Sequence, residues 1–215
     1  MATPQQDELF GATLPQGLLY RDGFVDADEE TALLKEVEAL PLQPARYKAY
    51  SARRLVASFG GEVDDATNRL RPGPPLPPFL EPLRRRAAQW AGIQPETFVH
   101  ALVACYPPGT PLGWHRDMPH FDAVFGLSLA GTARLRLRRH PGAAPAGRGT
   151  GVLELELAPR SAYLLRGVAR WGWQHSIAPT PALRYSITLR TGRGEDSVRP
   201  IHRPASASPV AKESK

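Results

Sequence analysis

The chain has 215 residues and a mass of 23.5 kDa, a length that suits one large domain with a short appendage. Its single cysteine, Cys105, excludes an intrachain disulfide and a cysteine-rich zinc scaffold, and it favours a reducing compartment. The first twenty residues lack the basic and apolar segments of a signal peptide, and no apolar stretch approaches the roughly 20 residues that cross a bilayer. We therefore expect a cytoplasmic protein without a membrane partner.

The charge of the chain is basic. Lysine and arginine number 27 against 21 aspartates and glutamates, which gives a formal net charge of +6 and a pI near 9.8. Such a balance is compatible with a polyanionic partner such as nucleic acid. The base composition of the genome can also produce many arginines. Charge alone therefore leaves both interpretations open, a polyanionic partner and a bias in base composition.

The first half of the chain predicts two helices. A short strand is expected at residues 18–20, and Asp26 with Glu29 forms a capping-box pattern that begins the first helix. The second helix should span residues 79–90 and end at Gly92. The apolar positions that share one face of the first helix are Leu33, Leu34, Val37 and Leu40.

The second half of the chain predicts strands. Several short β-prone segments separated by turns are typical of a sandwich or jelly roll, here preceded by helices, so we expect a β-dominated α+β fold. The predicted strands are residues 98–106, 124–129, 133–138, 152–157, 162–165 and 185–189, with 55–59 before them. Residues 141–151 are predicted to be a mobile loop, and the polar segment from residue 194 to be disordered.

The tetrapeptide Trp-His-Arg-Asp at residues 114–117 contains a candidate metal-ligand pair. In an extended chain, His115 and Asp117 project from the same side, because side chains alternate. A further histidine, His175, lies beside a later strand-like segment. Two histidines and one carboxylate are able to occupy one face of an iron octahedron. A pair of surface polar residues with a capping histidine explains the same residues equally well at this point.

Two arginines that flank the last predicted strand indicate that the protein binds an anion there. Arg184 and Arg190 are six positions apart and therefore face the same way on a strand. Two guanidinium groups inside a barrel are costly unless a buried anion, such as a dicarboxylate, pairs with them. The alternative is a polar face open to solvent, which is the interpretation we adopt for Arg134, Arg136 and Arg138.

The order of these motifs resembles the AlkB family of Fe(II)- and 2-oxoglutarate-dependent dioxygenases. The matching segments are residues 106–109, 112–117, 128–129, 175–177 and 184–190. The resemblance is strong over residues 98–190 and loose over the helices before them. It implies a double-stranded β-helix (jelly roll) preceded by helices and a substrate lid.

The resemblance also implies the site residues. The implied iron ligands are His115, Asp117 and His175. The residues implied to bind 2-oxoglutarate are Tyr106, Arg184, Ser186 and Arg190, and Arg190 is also the implied catalytic residue because it would lie beside the iron. Two departures matter: the family's amide two residues before the tyrosine is Ala104 here, and Met118-Pro119-His120 replaces the acidic residue that many repair members carry after the H-x-D motif.

A basic, aromatic segment precedes the barrel. Residues 39–61 contain no acidic residue and carry Arg46, Lys48, Arg53 and Arg54, with aromatic residues interleaved. Cations for phosphates and aromatic rings for stacking are what a platform for a flipped base needs, and in the resembling family this segment forms the lid. A solvated loop is the competing interpretation. The predicted substrate contacts are Tyr47, Tyr50, Arg53 and Trp114.

These observations predict a monomeric enzyme that uses Fe(II), 2-oxoglutarate and O2 to remove alkyl groups from nucleic-acid bases, releasing succinate, CO2 and an aldehyde. Two alternatives stay open: an oxygenase acting on a protein or small molecule, and a nucleic-acid-binding module whose oxygenase site has decayed. The predicted organisation is a flexible segment at 1–15, a dioxygenase domain at 16–193 and a disordered tail at 194–215. Within the domain, the lid is placed at 39–61 and the β-helix core at 97–191.

Overall fold

The computed structural model describes residues 14–47, 50–64, 69–141 and 151–193. The predictions made for residues 1–13, for the loop at 142–150, for the tail from 194 and for Lys48 lie outside these described residues. None of the helices in the described part is long and apolar enough to cross a membrane.

The described chain forms three α-helices and twelve strands. The helices are α1 (Ala27–Glu38), α2 (Glu81–Ala91) and the short α3 (Gly167–Trp171). The strands are β1 (Leu18–Arg21), β2 (Gln43–Tyr47), β3 (Tyr50–Asp64), β4 (Arg69–Pro72), β5 (Phe98–Tyr106), β6 (Leu112–His115), β7 (Phe121–Leu129), β8 (Ala133–Arg139), β9 (Leu153–Leu157), β10 (Ala162–Leu165), β11 (Trp173–Ile177) and β12 (Arg184–Gly192).

The strands build two antiparallel sheets. The major sheet has the order β1-β10-β7-β12-β5-β3-β2, with β4 paired to β3, and the minor sheet has the order β6-β11-β8-β9. One face of the major sheet packs against α1 and α2 through a core that includes Val37, Leu83 and Phe125. The other face packs against the minor sheet, where Val124 meets Leu135 and its neighbours. This arrangement confirms the predicted β-dominated jelly roll preceded by helices.

The helix boundaries follow from local sequence signals. Asp26 Oδ1 accepts a hydrogen bond from the Glu29 amide at 2.8 Å, and Glu29 Oε2 accepts one from the Asp26 amide at 3.0 Å, so the predicted capping box is present. Gly92 ends α2 with φ +68°, a conformation that favours glycine. Both predicted helix ends are therefore confirmed, and a 3-10 turn at Pro78–Leu80 precedes α2.

Several elements differ from the predicted boundaries. β3 is much longer than the predicted strand at 55–59, and β12 extends the predicted strand at both ends. Five elements were not predicted, because each is short and carries proline, glycine or polar residues that weaken the local signal: β2, β4, β6, β11 and α3. The segment predicted as a lid contains the β2–β3 hairpin, whose second strand is paired with β5 in the major sheet.

Candidate metal centre

The three predicted metal ligands come together at one edge of the minor sheet. β6 and β11 are antiparallel neighbours in which His115 pairs with His175, and their ring centroids are 4.2 Å apart. Asp117 follows β6 directly, and the candidate ligand atoms of the three residues all lie within 4.8 Å of one another. The alternation assumed for residues 115 and 117 thus places both side chains toward the interior.

The protonation states of these residues suit a divalent cation. His115 Nδ1 lies 2.8 Å from the Gly113 carbonyl oxygen, to which it donates when neutral, leaving the Nε2 lone pair free. Burial lowers the pKa of His175 to about 3 and also lowers the pKa of His115, so both imidazoles are neutral near pH 7. Burial acts to raise the pKa of Asp117, but the opposing effects of Arg190, His175 and His115 are larger. The pKa of Asp117 is therefore lowered, and the carboxylate is ionised.

One orphaned atom indicates what this cluster lacks. Asp117 Oδ2 is buried without a hydrogen-bond partner and lies 3.4 Å from His175 Nε2. A buried carboxylate oxygen in this state is costly unless a cation or donor satisfies it. Two neutral imidazole nitrogens and one carboxylate oxygen are a donor set that non-haem Fe(II) takes. The residues present therefore fit the metal.

A hydrogen-bonded chain holds the ligand carboxylate. Arg190 Nε donates to Asp117 Oδ1 at 2.6 Å, and its Nη1 donates to His100 Nδ1 at 3.1 Å. Because a guanidinium group can only donate, Nδ1 of His100 accepts, and the proton of the neutral ring is on Nε2. That nitrogen donates to Ser58 Oγ at 2.9 Å. Burial lowers the pKa of His100 to about 3, which keeps the ring neutral.

His100 is a site residue that the sequence did not reveal. It pairs with Arg190 across β5 and β12, so only the strand register brings the two together. Arg190 was expected beside the iron, and in the structure it donates a hydrogen bond to the candidate ligand Asp117. Its role as a catalytic and 2-oxoglutarate-binding residue stays a prediction.

The predicted co-substrate residues form a second buried cluster. Arg184 is 2% exposed, its Nε donates to Ser128 Oγ at 2.9 Å, and its guanidinium carbon lies 5.0 Å from the centroid of the Tyr106 ring. Its Nη1 is buried without a partner, and within the described residues no carboxylate pairs with it. Ser186 lies on the same face, opposite Ala104. A buried guanidinium group in this state fits an external carboxylate.

Another arginine, Arg170, is hydrogen-bonded to the turn after Asp117. Arg170, from α3, donates from a single nitrogen, Nη2, to the carbonyl oxygens of Asp117, Met118 and Phe121 at 3.0, 2.8 and 2.9 Å. These bonds hold the turn that begins at the ligand. Since α3 carries no strong helix signal and Arg170 is distant in sequence, no local pattern could have identified it.

Two predicted substrate contacts lie away from this centre. Trp114 is on the outer face of the minor sheet, where the guanidinium carbons of Arg136 and Arg138 lie 5.2 and 4.5 Å from its ring centroid. Arg53 donates from Nη2 to the Pro108 carbonyl at 3.4 Å, on the face of β3 opposite to Arg54. Adjacent residues on a strand point to opposite faces, so neither side chain faces the metal ligands, and the two residues stay predicted substrate contacts.

The remaining predicted substrate contacts are placed by backbone alone. Tyr47 and Tyr50 pair with each other at the end of the β2–β3 hairpin, and their side chains lie outside the described part of the structure. Arg134, expected to face solvent, is exposed and pairs with Glu154 at 3.2 Å. The half-buried Arg136 and Arg138 differ from that expectation, because Trp114 covers part of each.

Comparison with known proteins gives one family and one curated relative. The family model of the 2OG-Fe(II) oxygenase superfamily matches residues 17–193. The chain is 31% identical over 181 residues to "Alkylated DNA repair protein ALKBH8 homolog" of Arabidopsis thaliana. That alignment covers 75% of this chain and 50% of the relative, so the chain spans about half the length of this curated protein.

Solved structures share the fold at low sequence identity. "The structure of OsALKBH1" matches with a TM-score of 0.63 and 14% identity, covering 84% of this chain and 98% of that one. A Pseudomonas putida prolyl-4-hydroxylase matches with a TM-score of 0.55, 16% identity and coverages of 83% and 94%. A Trichoplax adhaerens prolyl hydroxylase matches with a TM-score of 0.56, 15% identity and coverages of 82% and 83%.

Proposed function

Because this chain belongs to the 2OG-Fe(II) oxygenase superfamily and is an AlkB-like member of it, we propose that it removes alkyl groups from N-alkylated nucleic-acid bases. The dioxygenase activity and the use of Fe(II), 2-oxoglutarate and O2 follow from the family. The nucleic-acid substrate is the step that we add. The observation that carries it is the similarity, over three quarters of the chain, to a protein named for repair of alkylated DNA.

Each residue of the candidate centre has a distinct task in this proposal. His115, Asp117 and His175 would hold Fe(II), which with 2-oxoglutarate and O2 supplies the oxidation that yields succinate, CO2 and an aldehyde. Arg190 keeps Asp117 ionised and oriented through its bond to Oδ1, leaving Oδ2 for the cation. Arg184 binds the distal carboxylate of the co-substrate.

The burial of both clusters also has a chemical task. Arg184, Tyr106 and Ser186 are each less than a tenth exposed, so a co-substrate carboxylate exchanges water for fixed donors on binding. Fixed donors in a site that excludes water act more strongly than the same groups in solution. The buried guanidinium group and hydroxyls therefore orient the co-substrate by charge and by hydrogen bonds.

We place the nucleic acid along the β2–β3 hairpin. Arg46 is exposed on β2, and the backbones of Tyr47 and Tyr50 pair where the two strands of the hairpin meet. Tyrosine is a residue type that stacks on bases. A target base in a duplex has to be flipped out to reach the buried metal ligands. The net charge of +6 favours a polyanionic substrate.

We propose that the enzyme works as a cytoplasmic monomer, in agreement with its buried free thiol, Cys105.

Coupled turnover tests the substrate class. The purified chain with Fe(II) and ascorbate is given 2-oxoglutarate and an N-methylated oligonucleotide, as DNA and as RNA, with the unmethylated strands as controls. We expect succinate and formaldehyde in equal amounts from a methylated strand, and neither product from the Asp117→Ala variant. Succinate release that no methylated strand stimulates, but that a peptide substrate does, overturns the nucleic-acid proposal and leaves the oxygenase assignment standing.

A further inference from the structure

We propose that Arg54 is an additional 2-oxoglutarate-binding residue, which contacts the distal carboxylate together with Arg184 and Tyr106. The inference rests on the proposed co-substrate pocket and is independent of the nucleic-acid substrate. The sequence places Arg54 among the cations of the basic segment at residues 39–61. Its position on β3, however, gives it different neighbours from the other cations of that segment.

The strand register places Arg54 beside the co-substrate cluster. β3 runs antiparallel to β5, with Leu55 opposite Cys105 and Val56 opposite Ala104, so Arg54 stands next to Tyr106. Its Nη1 donates to the Tyr106 hydroxyl at 3.4 Å, and its guanidinium carbon lies 5.8 Å from the centroid of that ring. Two guanidinium groups, one from β3 and one from β12, therefore approach one buried phenol.

The electrostatics of this arrangement call for an anion. Arg54 Nε and Arg184 Nη1 are both buried without a hydrogen-bond partner, and in the described part of the chain neither arginine forms an ion pair with a carboxylate. Two unpaired cations beside one phenol repel each other and lose hydration. An entering carboxylate offers two oxygens with about four acceptor positions, enough for both guanidinium groups and the phenol.

The charge of Arg54 acts directly on the Tyr106 phenol. Burial acts to raise the pKa of Tyr106, but Arg54 and then Arg184 outweigh it and lower that pKa. The two guanidinium groups therefore favour negative charge at this position, as they would favour an entering carboxylate.

The neighbouring residue provides a matched control. Arg53 is on the same strand with the same charge, but it points to the opposite face and donates to the Pro108 carbonyl. A substitution of either arginine removes one positive charge from β3. Only a substitution of Arg54 removes a donor from the pocket.

Binding of the co-substrate to the Mn(II)-loaded chain, measured by isothermal titration calorimetry without O2, tests the proposal. The ligands are 2-oxoglutarate and 2-oxopentanoate, which has a methyl group in place of the distal carboxylate. For Arg54→Gln we expect the Kd of 2-oxoglutarate to rise about 10- to 100-fold, as for loss of a hydrogen bond to a charged group. The Kd of 2-oxopentanoate should change less than twofold, and Arg53→Gln should leave both constants unchanged.

Two results would overturn the proposal. One is an unchanged Kd for 2-oxoglutarate in Arg54→Gln; if a separate measurement then shows a flatter salt dependence of oligonucleotide binding, Arg54 is assigned to a phosphate. The other is an equal loss for both ligands, which would mean that Arg54 supports the pocket without contacting the distal carboxylate. Since the titration contains no nucleic acid, failure of the substrate proposal leaves its outcome unaffected.

Discussion

The arginines of β8 and β12 have similar sequence patterns and opposite surroundings. On β12, Arg184 is 2% exposed and touches the Tyr106 ring, whereas on β8 the exposed Arg134 pairs with Glu154 at the surface. β12 is buried on both faces, since helices cover one and the minor sheet the other. β8 packs only Ala133, Leu135 and Leu137 inward. Alternation shows which side chains share a face, and the layer beyond that face decides whether the charge is solvated or needs an anion.

The same contrast exists within one strand of the minor sheet and gives the largest expected effect. His175 points inward to the metal cluster, and its neighbour Gln174 points outward, where it accepts a bond from Arg138 at 2.8 Å. His175→Ala should abolish stoichiometric Mn(II) binding because a cluster with one ligand missing holds the metal poorly. Gln174→Ala should bind one Mn(II) as the unsubstituted chain does. Equilibrium dialysis measures both, and stoichiometric metal in His175→Ala would remove that residue from the ligand set.

The two sets of arginines should also separate by co-substrate affinity. Arg184→Met should weaken 2-oxoglutarate binding by about 3–5 kcal/mol, more than a hundredfold, because it removes one partner of a buried ion pair. Arg136→Met is the matched control, since Arg136 bonds to Ser176 on the outer face. Calorimetric titration of the Mn(II)-loaded variants gives both constants. Equal constants for the two variants would contradict the difference between the two strands.

The hydrogen bonds that connect Ser58, through His100 and Arg190, to Asp117 predict a smaller, graded effect on metal affinity. In His100→Leu, Arg190 loses its acceptor, and we expect Mn(II) affinity to fall about 10- to 100-fold, as for other groups that orient a metal ligand. His100→Gln should recover most of this loss, because an amide can accept from Arg190 and donate to Ser58. A loss of the same size in both variants would indicate that packing around the ring, and not the hydrogen bonds, is what matters.

The buried histidine also predicts how stability depends on pH in the metal-free chain. The pKa of His100 is lower in the folded state, about 3, than its ordinary value of 6.5, so the unfolded chain binds the proton first as pH falls. Stability is therefore lost below pH 6.5, and between pH 7 and 5 one such residue accounts for about 2 kcal/mol. Urea unfolding of His100→Gln should show a loss smaller by about this amount. Identical losses with and without His100 would contradict the buried, neutral ring.

The smallest expected effect concerns the outer face of the minor sheet. Arg138 lies 4.5 Å above the Trp114 ring, so a double-mutant cycle of Arg138→Met and Trp114→Leu should give a coupling of about 0.5–1 kcal/mol in urea unfolding. The Kd of 2-oxoglutarate should not change in either variant. A large loss of co-substrate affinity in Trp114→Leu would contradict the position of Trp114 on the outer face.

Local signals predicted much of the fold and part of the metal centre. The capping box at Asp26, the terminal glycine at Gly92 and the bounds of β5 depend on neighbouring residues, and the structure confirms each. The spacing of His115 and Asp117 made them a candidate ligand pair, but the full set with the distant His175 was predicted from the resemblance to the AlkB family.

The features that the sequence could not predict have a common origin in strand pairing. Arg53 and Trp114 each precede an inward residue, Arg54 and His115, and therefore point outward. His100 and Arg170 were missed because their partners, Arg190 and the turn after Asp117, are brought to them only by the register and by packing. A single sequence contains no local trace of such contacts.

The position of β12 in the major sheet has a consequence for the order in which the protein assembles. β12 is the last described strand along the chain, yet it lies between β5 and β7 and pairs with both. Until Arg184–Gly192 leaves the ribosome, those two strands have unpaired edges facing one another, and the sheet consists of two separate parts. The same strand carries Arg184 and Arg190, so the co-substrate pocket and the support of Asp117 both form only when β12 pairs with its two neighbours.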